Sequence, residues 1–467
     1  MRIRLLPLLC AAAGAAALPA QKPEDGRGRS LFGPEWHAAR RQALMEVVKD
    51  GVIVLRGAPT QDDYREFRQD NNFWYLSGVS TPNAVLVLLP ETGEEVLFVP
   101  PVNPLMETWV GDLTDPGEAR ELTGIEDCRP LGDQPGGMGG FDASHLEEFL
   151  DGLARKYKTF YTQGQPAENW MMSRDQLQTA LREQLQDPYD GRPGREQQFM
   201  KRLQELHGVE VKDLTVTLDA LRIRKTPEEV AAMRRAAEIS GLGHLAAIAE
   251  GHAGMYEWEL NAIMTGTFLR HGAMGPAYMA IIGSGPNSII LHYSANDRQL
   301  QEGDVVLIDY GAEYQHYVAD VTRTWPVGPR FTDRQREVYQ AVYDAQEAAF
   351  RQCVPGSRIN KVHAAAARVL RERGLARYFN HGTSHWLGMA THDVGAPLAR
   401  FQPGMVITVE PGVYIPEEGF GIRIEDIVLV TEDGPELLTA GIPRRLEEIE
   451  ALRARALGVE PATGAGP

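Results

Sequence analysis

Between residues 51 and 100 the chain runs in short apolar stretches broken by turn residues: GVIVLRG (51–57), FWYLSG (73–78), AVLVLLP (84–90) and EVLFVP (95–100). Each has the length of a strand, and the last two are joined through ETGEE, whose glycine suits a tight hairpin turn. From about residue 116 to 212, helical stretches such as ASHLEEFLDGLARKY (143–157) alternate with strand candidates such as KTFYT (158–162). That alternation predicts an α/β first domain, residues 31–212.

A new texture begins at Thr226. In TPEEVAAMRRAAEISGLGHLAAIAE, Thr226 can cap a helix, Pro227 fits its first position and Glu229 completes a capping box. Val230, Met233 and Ala237 give this helix an apolar stripe, and MYEWELNAIMTGTFLRHG (255–272) supplies a second helix ending at glycine. Beyond Tyr278 the pattern turns to strands: AYMAIIGSG, SIILHYS, DVVLIDYGAEY and YVADVTRTWPV. Two helices follow, then MVITVEPGVYI and GIRIEDIVLVT. A second domain of α+β type therefore spans residues 213–450, leaving 451–467 as a flexible tail. GSGPNS (283–288) is rich in glycine, but it lacks a phosphate-loop lysine and leads toward a strand, so it reads as a turn.

Two domains suit a chain of 467 residues, and 43% hydrophobic with 24% charged residues is ordinary for a globular protein. The net charge of -17 argues against nucleic acid as a partner, because phosphate contacts need clustered Lys and Arg. MRIRLLPLLCAAAGAAALPAQKPEDG opens the chain with two arginines, a short apolar run and small residues. This is the layout of a signal peptide over residues 1–20, cut near Ala20, which predicts export to the periplasm or the extracellular medium. The run is too short for a comfortable membrane span, and no later stretch suits stable membrane insertion. Leu8 and Leu9 before Cys10 disfavour a lipid anchor. Cys128 and Cys353, far apart in sequence, are expected as free buried thiols.

The strands of the second half carry acids where acids are costly. Asp309 in VVLIDYG and Asp320 in VADVTRTW sit inside apolar runs, Glu410 closes MVITVE, and Glu425 follows Ile424 in GIRIED. A buried carboxylate must be paired, hydrogen-bonded or bound to metal. For one such acid a structural role is as good an explanation; for four, a shared ion is more economical. Arg423 and Glu425, two apart on a strand, would face one site. With His385 the set becomes four carboxylates and one imidazole, an oxygen-rich donor set that suits Mn(2+) better than structural zinc. Four carboxylates would neutralise two divalent ions, which together would generate hydroxide and polarise a carbonyl.

HGTSHWLGMATHDVG (381–395) concentrates three histidines. His381 and His385 have the spacing of a helical zinc pair, but no glutamate follows His381, and Gly382 and Gly388 disfavour a helix. The helical metalloprotease motif is therefore rejected. His37, His207 and His363 read as ordinary surface or hydrogen-bonded core residues.

HGTSHWLGMATHDVG, together with VLIDYGAEYQHYVADVTRTWPV, TVEPGVYI and GIRIEDIVLVT in that order, resembles the pita-bread metallopeptidases, and SHWLG is similar to the Xaa-Pro aminopeptidases (aminopeptidase P) rather than to the sister prolidases. The likeness extends through YMAIIGSGPNSIILHY and LRIRKTPEEVAAMRRAAEIS to FRQDNNFWYLSGVSTPNAVLVL, covering nearly the whole chain after the leader. It implies a creatinase-like α/β first domain and a pita-bread α+β catalytic domain. Asp309, Asp320, His385, Glu410 and Glu425 would then bind two metal ions, usually manganese, with zinc and cobalt as alternatives; Asp320 and Glu425 would bridge them. Glu410 would shuttle the proton of the bridging water. His292 and His392 would hold the scissile peptide and its developing oxyanion. His381, Arg423 and Tyr278 would line the pocket for proline, a residue whose tertiary amide and fixed ring suit general aminopeptidases poorly.

The substrates implied are peptides with proline second, and the implied assembly is a homodimer or homotetramer in which Trp109 of ETWVGDLTD walls a neighbouring subunit's site. The loops between Asp320 and His385, between His392 and Glu410, and between Glu410 and Arg423 are shorter than in bacterial aminopeptidase P, which touches peptide-length preference. The segment after Trp109 is acidic where the family is usually basic. Prolidase is the nearest alternative, disfavoured by SHW. A non-catalytic peptide-binding protein would lack metal ligands, and all five are present.

Overall fold

Six strands of the first half form one sheet in the spatial order Asp127–Pro130, Glu94–Val99, Val85–Leu89, Val52–Arg56, Thr159–Thr162, Glu210–Asp213. The structure, a computed structural model, describes residues 30–60, 66–134 and 140–460, so the leader read at residues 1–20 lies outside them. The three central strands pair antiparallel and the outer ones join in parallel. Alternation along the strands explains their unbroken apolar runs. Val52, Val54, Val85, Val87, Val96 and Phe98 pack with Leu146, Leu150 and Leu203 on one face. Ile53, Leu55, Leu86, Leu88 and Leu97 pack with Trp36, Leu44 and Ala119 on the other. Both faces are covered by helices, so no polar face is needed.

FWYLSG is a correction. It belongs to the helix Asn71–Ser77, buried on every side, with Asp70 accepting the Phe73 N–H at 2.9 Å as N-cap. A helix buried all round shows no amphipathic period, so a short apolar run cannot be told from a strand. SIILHYS is another. Residues Gly285–Ile289 form a 3-10 turn, with the Ser288 hydroxyl donating to the Gly285 carbonyl at 2.5 Å, and the chain then turns toward His292.

The capping box at Thr226 is present, and the helix Pro227–Glu250 packs against Glu257–Arg270. Small antiparallel sheets follow: Ile281–Ser284, Val305–Asp309 and Thr322–Pro326; Val406–Val409, Asp426–Thr431 and Gly434–Leu437; Gly412–Ile415 with Phe420–Arg423. Helices Asp333–Phe350 and Ile359–Glu372 pack on each other, and a large apolar core lies between helices and sheets. Residues 451–456, expected as tail, instead complete the last helix, Leu446–Ala456, which buries Arg453 against the carbonyls of Pro326, Ile248 and Val327; residues 461–467 lie outside the described residues.

Residues of the two halves share one core, where Trp74 stacks on His316 and Tyr317 donates to Glu229 at 2.8 Å. Buried ion pairs run across the same joint, Arg68 to Glu313 at 2.6 Å and Arg222 to Glu168 at 3.0 Å, and Arg222 also binds Asp393 of its own half at 2.5 Å. Such charges are tolerated away from water because each has an opposite partner and further hydrogen bonds. Cys128 and Cys353 are free and buried, and no helix among the described residues is long and apolar enough to cross a membrane.

Candidate metal centre

Strand pairing brings the first two acids together. Asp309 ends its strand opposite Thr322, so Asp320, two residues before Thr322, arrives at the same edge. The connection folds back on itself: the Ala319 N–H donates to the Ala312 carbonyl, and Gly311 lies so near that a Cβ there would stand 1.9 Å from the Ala319 carbonyl oxygen. Only glycine fits this approach. Glu410 follows the strand Val406–Val409. Glu425 occupies the break between Phe420–Arg423 and Asp426–Thr431, held by its N–H on the Thr322 carbonyl at 3.1 Å. Thr408 ties His385 to the strand that ends at Glu410. It donates its N–H to the His385 carbonyl at 3.0 Å and accepts the His385 N–H on its hydroxyl at 3.1 Å.

These residues surround one pocket of about 500 Å³ whose lining includes Asp309, Asp320, His385, Glu410 and Glu425. Tyr278, His292, His381, His392 and Arg423 line it too. Trp109 does not; on the helix Pro104–Val110 it is 71% exposed and outside this pocket. A larger hollow of about 630 Å³ lies over the first-half sheet, but among the described residues it gathers no cluster of acids and histidines able to hold an ion.

Electrostatics of the pocket are those of crowded anions. Burial pushes Asp309 up to about 6 against the pull of Arg423, and pushes Glu410 up to about 7 against His385 and Arg423. Burial, then the charges of Asp320, Asp309 and Glu410, drive Glu425 well above the carboxylate range. Asp320 behaves oppositely: burial raises it, but the hydrogen bond and charge of His385 outweigh this and hold it low. His385 mirrors that balance. Burial opposes its charge, while Asp320 and Glu410, at 3.4 and 3.5 Å from Nε2, lift it to about 9.

This donor set fits divalent cations. Asp320, His385 and Glu425 each offer an atom, and the three atoms lie within 4.8 Å of one another. His385 Nδ1 faces the Trp386 carbonyl at 3.1 Å, which fixes a proton there and leaves Nε2, on the side of the acids, as the nitrogen that would bind an ion once its own proton has left. An ion would supply the positive charge that these carboxylates otherwise lack, apart from Arg423 and His385.

Arg423 is almost fully buried and donates from each of its three nitrogens: Nη2 to Asp309 at 2.7 Å, Nη1 to the Tyr414 hydroxyl at 3.0 Å and Nε to the Thr322 hydroxyl at 3.0 Å. Tyr278 donates to the other Asp309 oxygen at 2.6 Å. The strand break at Glu425 does not separate it from Arg423, since the Thr322 hydroxyl donates to Glu425 at 2.7 Å while accepting from Arg423. His381 meets the Tyr414 hydroxyl at 2.9 Å, and burial, aided by Arg423, lowers it to about 3, so it is a neutral ring. His292 is exposed at the pocket rim. His392 lies against His385, ring centroids 4.1 Å apart and planes tilted by 40°.

Some wall residues had no signal in the sequence. Met171, Ser173 and Gln176 reach the pocket from the first half, and Asp175 lies 2.8 Å from His392 Nδ1. No motif marks them; only the packing of the halves brings them there.

The family profile of Metallopeptidase family M24 matches residues 231–432, and that of Aminopeptidase P, N-terminal domain, matches residues 37–138. The Xaa-Pro aminopeptidase of Escherichia coli is 35% identical over 458 residues, covering 88% of this chain and 96% of that protein. The Xaa-Pro aminopeptidase of Haemophilus influenzae is 33% identical over 418 residues, covering 83% and 88%. Among solved structures, aminopeptidase P from E. coli with the inhibitor Pro-Leu superposes with a TM-score of 0.76 at 32% identity, over 91% of this chain and 99% of that one. The chain belongs to metallopeptidase family M24, with the pita-bread catalytic domain and the N-terminal domain of aminopeptidase P. Its activity is that of an Xaa-Pro aminopeptidase, a metallo-hydrolase using divalent cations.

Proposed function

We propose that the pocket would hold two divalent cations, manganese in the enzyme's working form, on Asp309, Asp320, His385, Glu410 and Glu425. The observation that carries this is the convergence of three buried carboxylates, the half-buried Glu410 and one imidazole on a single cavity. When bound, the ions lower the pKa of water and polarise the scissile carbonyl. The remaining work falls to the chain. Glu410 takes and returns the proton of the attacking water. His292 and His392 hydrogen-bond the peptide on either side of the reacting carbonyl, where fixed partners are worth most. Arg423 and Tyr278 keep Asp309 in place from below, and His381 with its Tyr414 partner closes the proline end.

The peptides cleaved carry proline second, and the residue before it leaves as the free amino acid. The test compares Arg-Pro-Pro with the dipeptide Ala-Pro, on chelated protein and with added Mn(2+). Metal-dependent release of arginine well above Ala-Pro cleavage is expected; preference for Ala-Pro would reassign the enzyme as a prolidase. Elemental analysis of the active protein at two ions per chain checks the dinuclear assignment.

Two further parts of this reading concern the surroundings. Export follows from the leader at residues 1–20, and N-terminal sequencing of the exported protein should begin just after Ala20. Trp109, Val110 and Leu105 expose a small apolar patch that suits contact with a second copy, so a homodimer or homotetramer is expected in light scattering.

A further inference from the structure

We infer that Asp175, carried by the first half of the chain, is the positioning residue for His392; this rests on His392 facing the peptide as proposed above. Asp175 Oδ2 lies 2.8 Å from His392 Nδ1, and the N–H of its neighbour Arg174 donates to the His392 carbonyl at 3.2 Å. Consecutive residues therefore hold both ring and backbone of the same histidine.

The segment that supplies them is itself fixed. Arg174 binds Glu168 at 2.5 Å and Asp219 at 2.6 Å, and Glu168 also receives Arg222 at 3.0 Å. Arg222 in turn binds Asp393 at 2.5 Å, with Lys225 at 3.3 Å on the other oxygen. Asp393 is the residue after His392. The chain of charges thus leaves Asp175 by way of Arg174 and returns to His392 from its other side, which fixes the distance between the pair.

A hydrogen bond so open to water contributes little to folding, for Asp175 is 57% exposed and His392 35%. Its use lies in the ring. With Nδ1 committed to Asp175, the nitrogen left for the pocket is Nε2, in one orientation instead of several. Ser173 and Gln176, on either side of the Arg174–Asp175 pair, line the same pocket, so a peptide bound there lies against this segment. The first half thereby supplies part of the catalytic geometry as well as part of the wall.

The test is a double-mutant cycle on the full chain loaded with Mn(2+), cleaving Arg-Pro-Pro. Asp175→Ala is expected to lower kcat about tenfold with KM nearly unchanged, the size of one lost hydrogen bond to a charged group. Asp175→Asn, whose amide oxygen still accepts the Nδ1 proton, should recover most of that loss. In a His392→Ala background, Asp175→Ala should add nothing, with thermal midpoint and metal content unaltered throughout. Equal losses from Asp175→Ala in both backgrounds, or no loss with His392 present, would overturn the pairing while leaving the role of His392 intact. A fully active His392→Ala enzyme would overturn it at the premise, and with it the proposed place of His392 at the peptide.

Discussion

Arg423 reaches Asp309 at 2.7 Å with both side chains almost out of solvent, and its other nitrogens hold Tyr414 and Thr322. Removing one partner of such a pair leaves the other charge buried and alone. Arg423→Met should lower the unfolding free energy of the metal-free protein by about 3 kcal/mol, read from urea titration, and abolish turnover. Arg423→Lys should recover little, because an ammonium cannot serve three acceptors in the guanidinium's plane. A lysine variant of full stability and activity would contradict this account.

Gly311 tests the hairpin that aligns Asp309 with Asp320. A methyl there meets the Ala319 carbonyl oxygen at 1.9 Å, and both sides of that contact are backbone. Gly311→Ala should therefore move the two aspartates apart and cut Mn(2+) binding, measured by titration calorimetry, without touching any acid. Unchanged affinity would mean that the hairpin shifts as a unit.

Asp320 is the acid nearest to His385 and belongs to the cluster able to hold an ion. Asp320→Ala should eliminate tight metal occupancy and peptidase activity and leave the far-ultraviolet circular dichroism unaltered. Elemental analysis after dialysis decides it, and an active Asp320→Ala enzyme would sink the dinuclear assignment.

Chelation should destabilise the folded protein. Without cations, the charges of Asp309, Asp320 and Glu410 bear on Glu425 in a buried space. An ion present at a hundredfold its dissociation constant stabilises by about 2.7 kcal/mol. The thermal midpoint should fall on treatment with EDTA and return with Mn(2+); identical melting curves would mean that the ion adds nothing to the native state.

Acid should destabilise the fold through buried histidines that do not line the pocket. Burial, with Arg41 nearby, holds His37 at about 4; burial and Arg323 hold His244 at about 3; burial and Arg68 hold His316 well below its ordinary value. The unfolded chain takes up these protons near pH 6.5, so below that it binds more protons than the native state. The stability from these neutral rings is complete above about 6.5 and is lost as pH falls toward 4. The loss at pH 5 should be on the order of 2 kcal/mol for each of His37 and His244, with His316 adding in the same direction. Urea midpoints at pH 7.5 and 5.0 check the direction, and His37→Gln should reduce the difference.

Asp309, Asp320, Glu410 and Glu425 were legible in the sequence because a carboxylate inside an apolar strand is conspicuous, and four of them point to one another. Strands such as Val52–Arg56 and Val85–Leu89 were legible for the complementary reason, length and continuous apolarity. The same continuity hid the helix Asn71–Ser77, where burial on all sides erased the helical period. Asp175, Ser173 and Gln176 left no trace. They act through a contact with residues more than 100 positions away, and their own helix, Arg174–Gln186, looks like any polar surface helix.

The buried chain of charges from Arg174 through Glu168 and Arg222 to Asp393 has a consequence in time as well as in space. During synthesis the residues that wall the pocket emerge long before the histidines they face, and the charged chain cannot close until Asp393 has been made. Competence to cut peptides therefore arrives late and all at once. A fragment ending before Asp393 holds an incomplete wall and an Arg222 that lacks one of its two carboxylate partners, and a fragment beginning after Glu168 leaves the same arginine without the other, so neither is a smaller working peptidase.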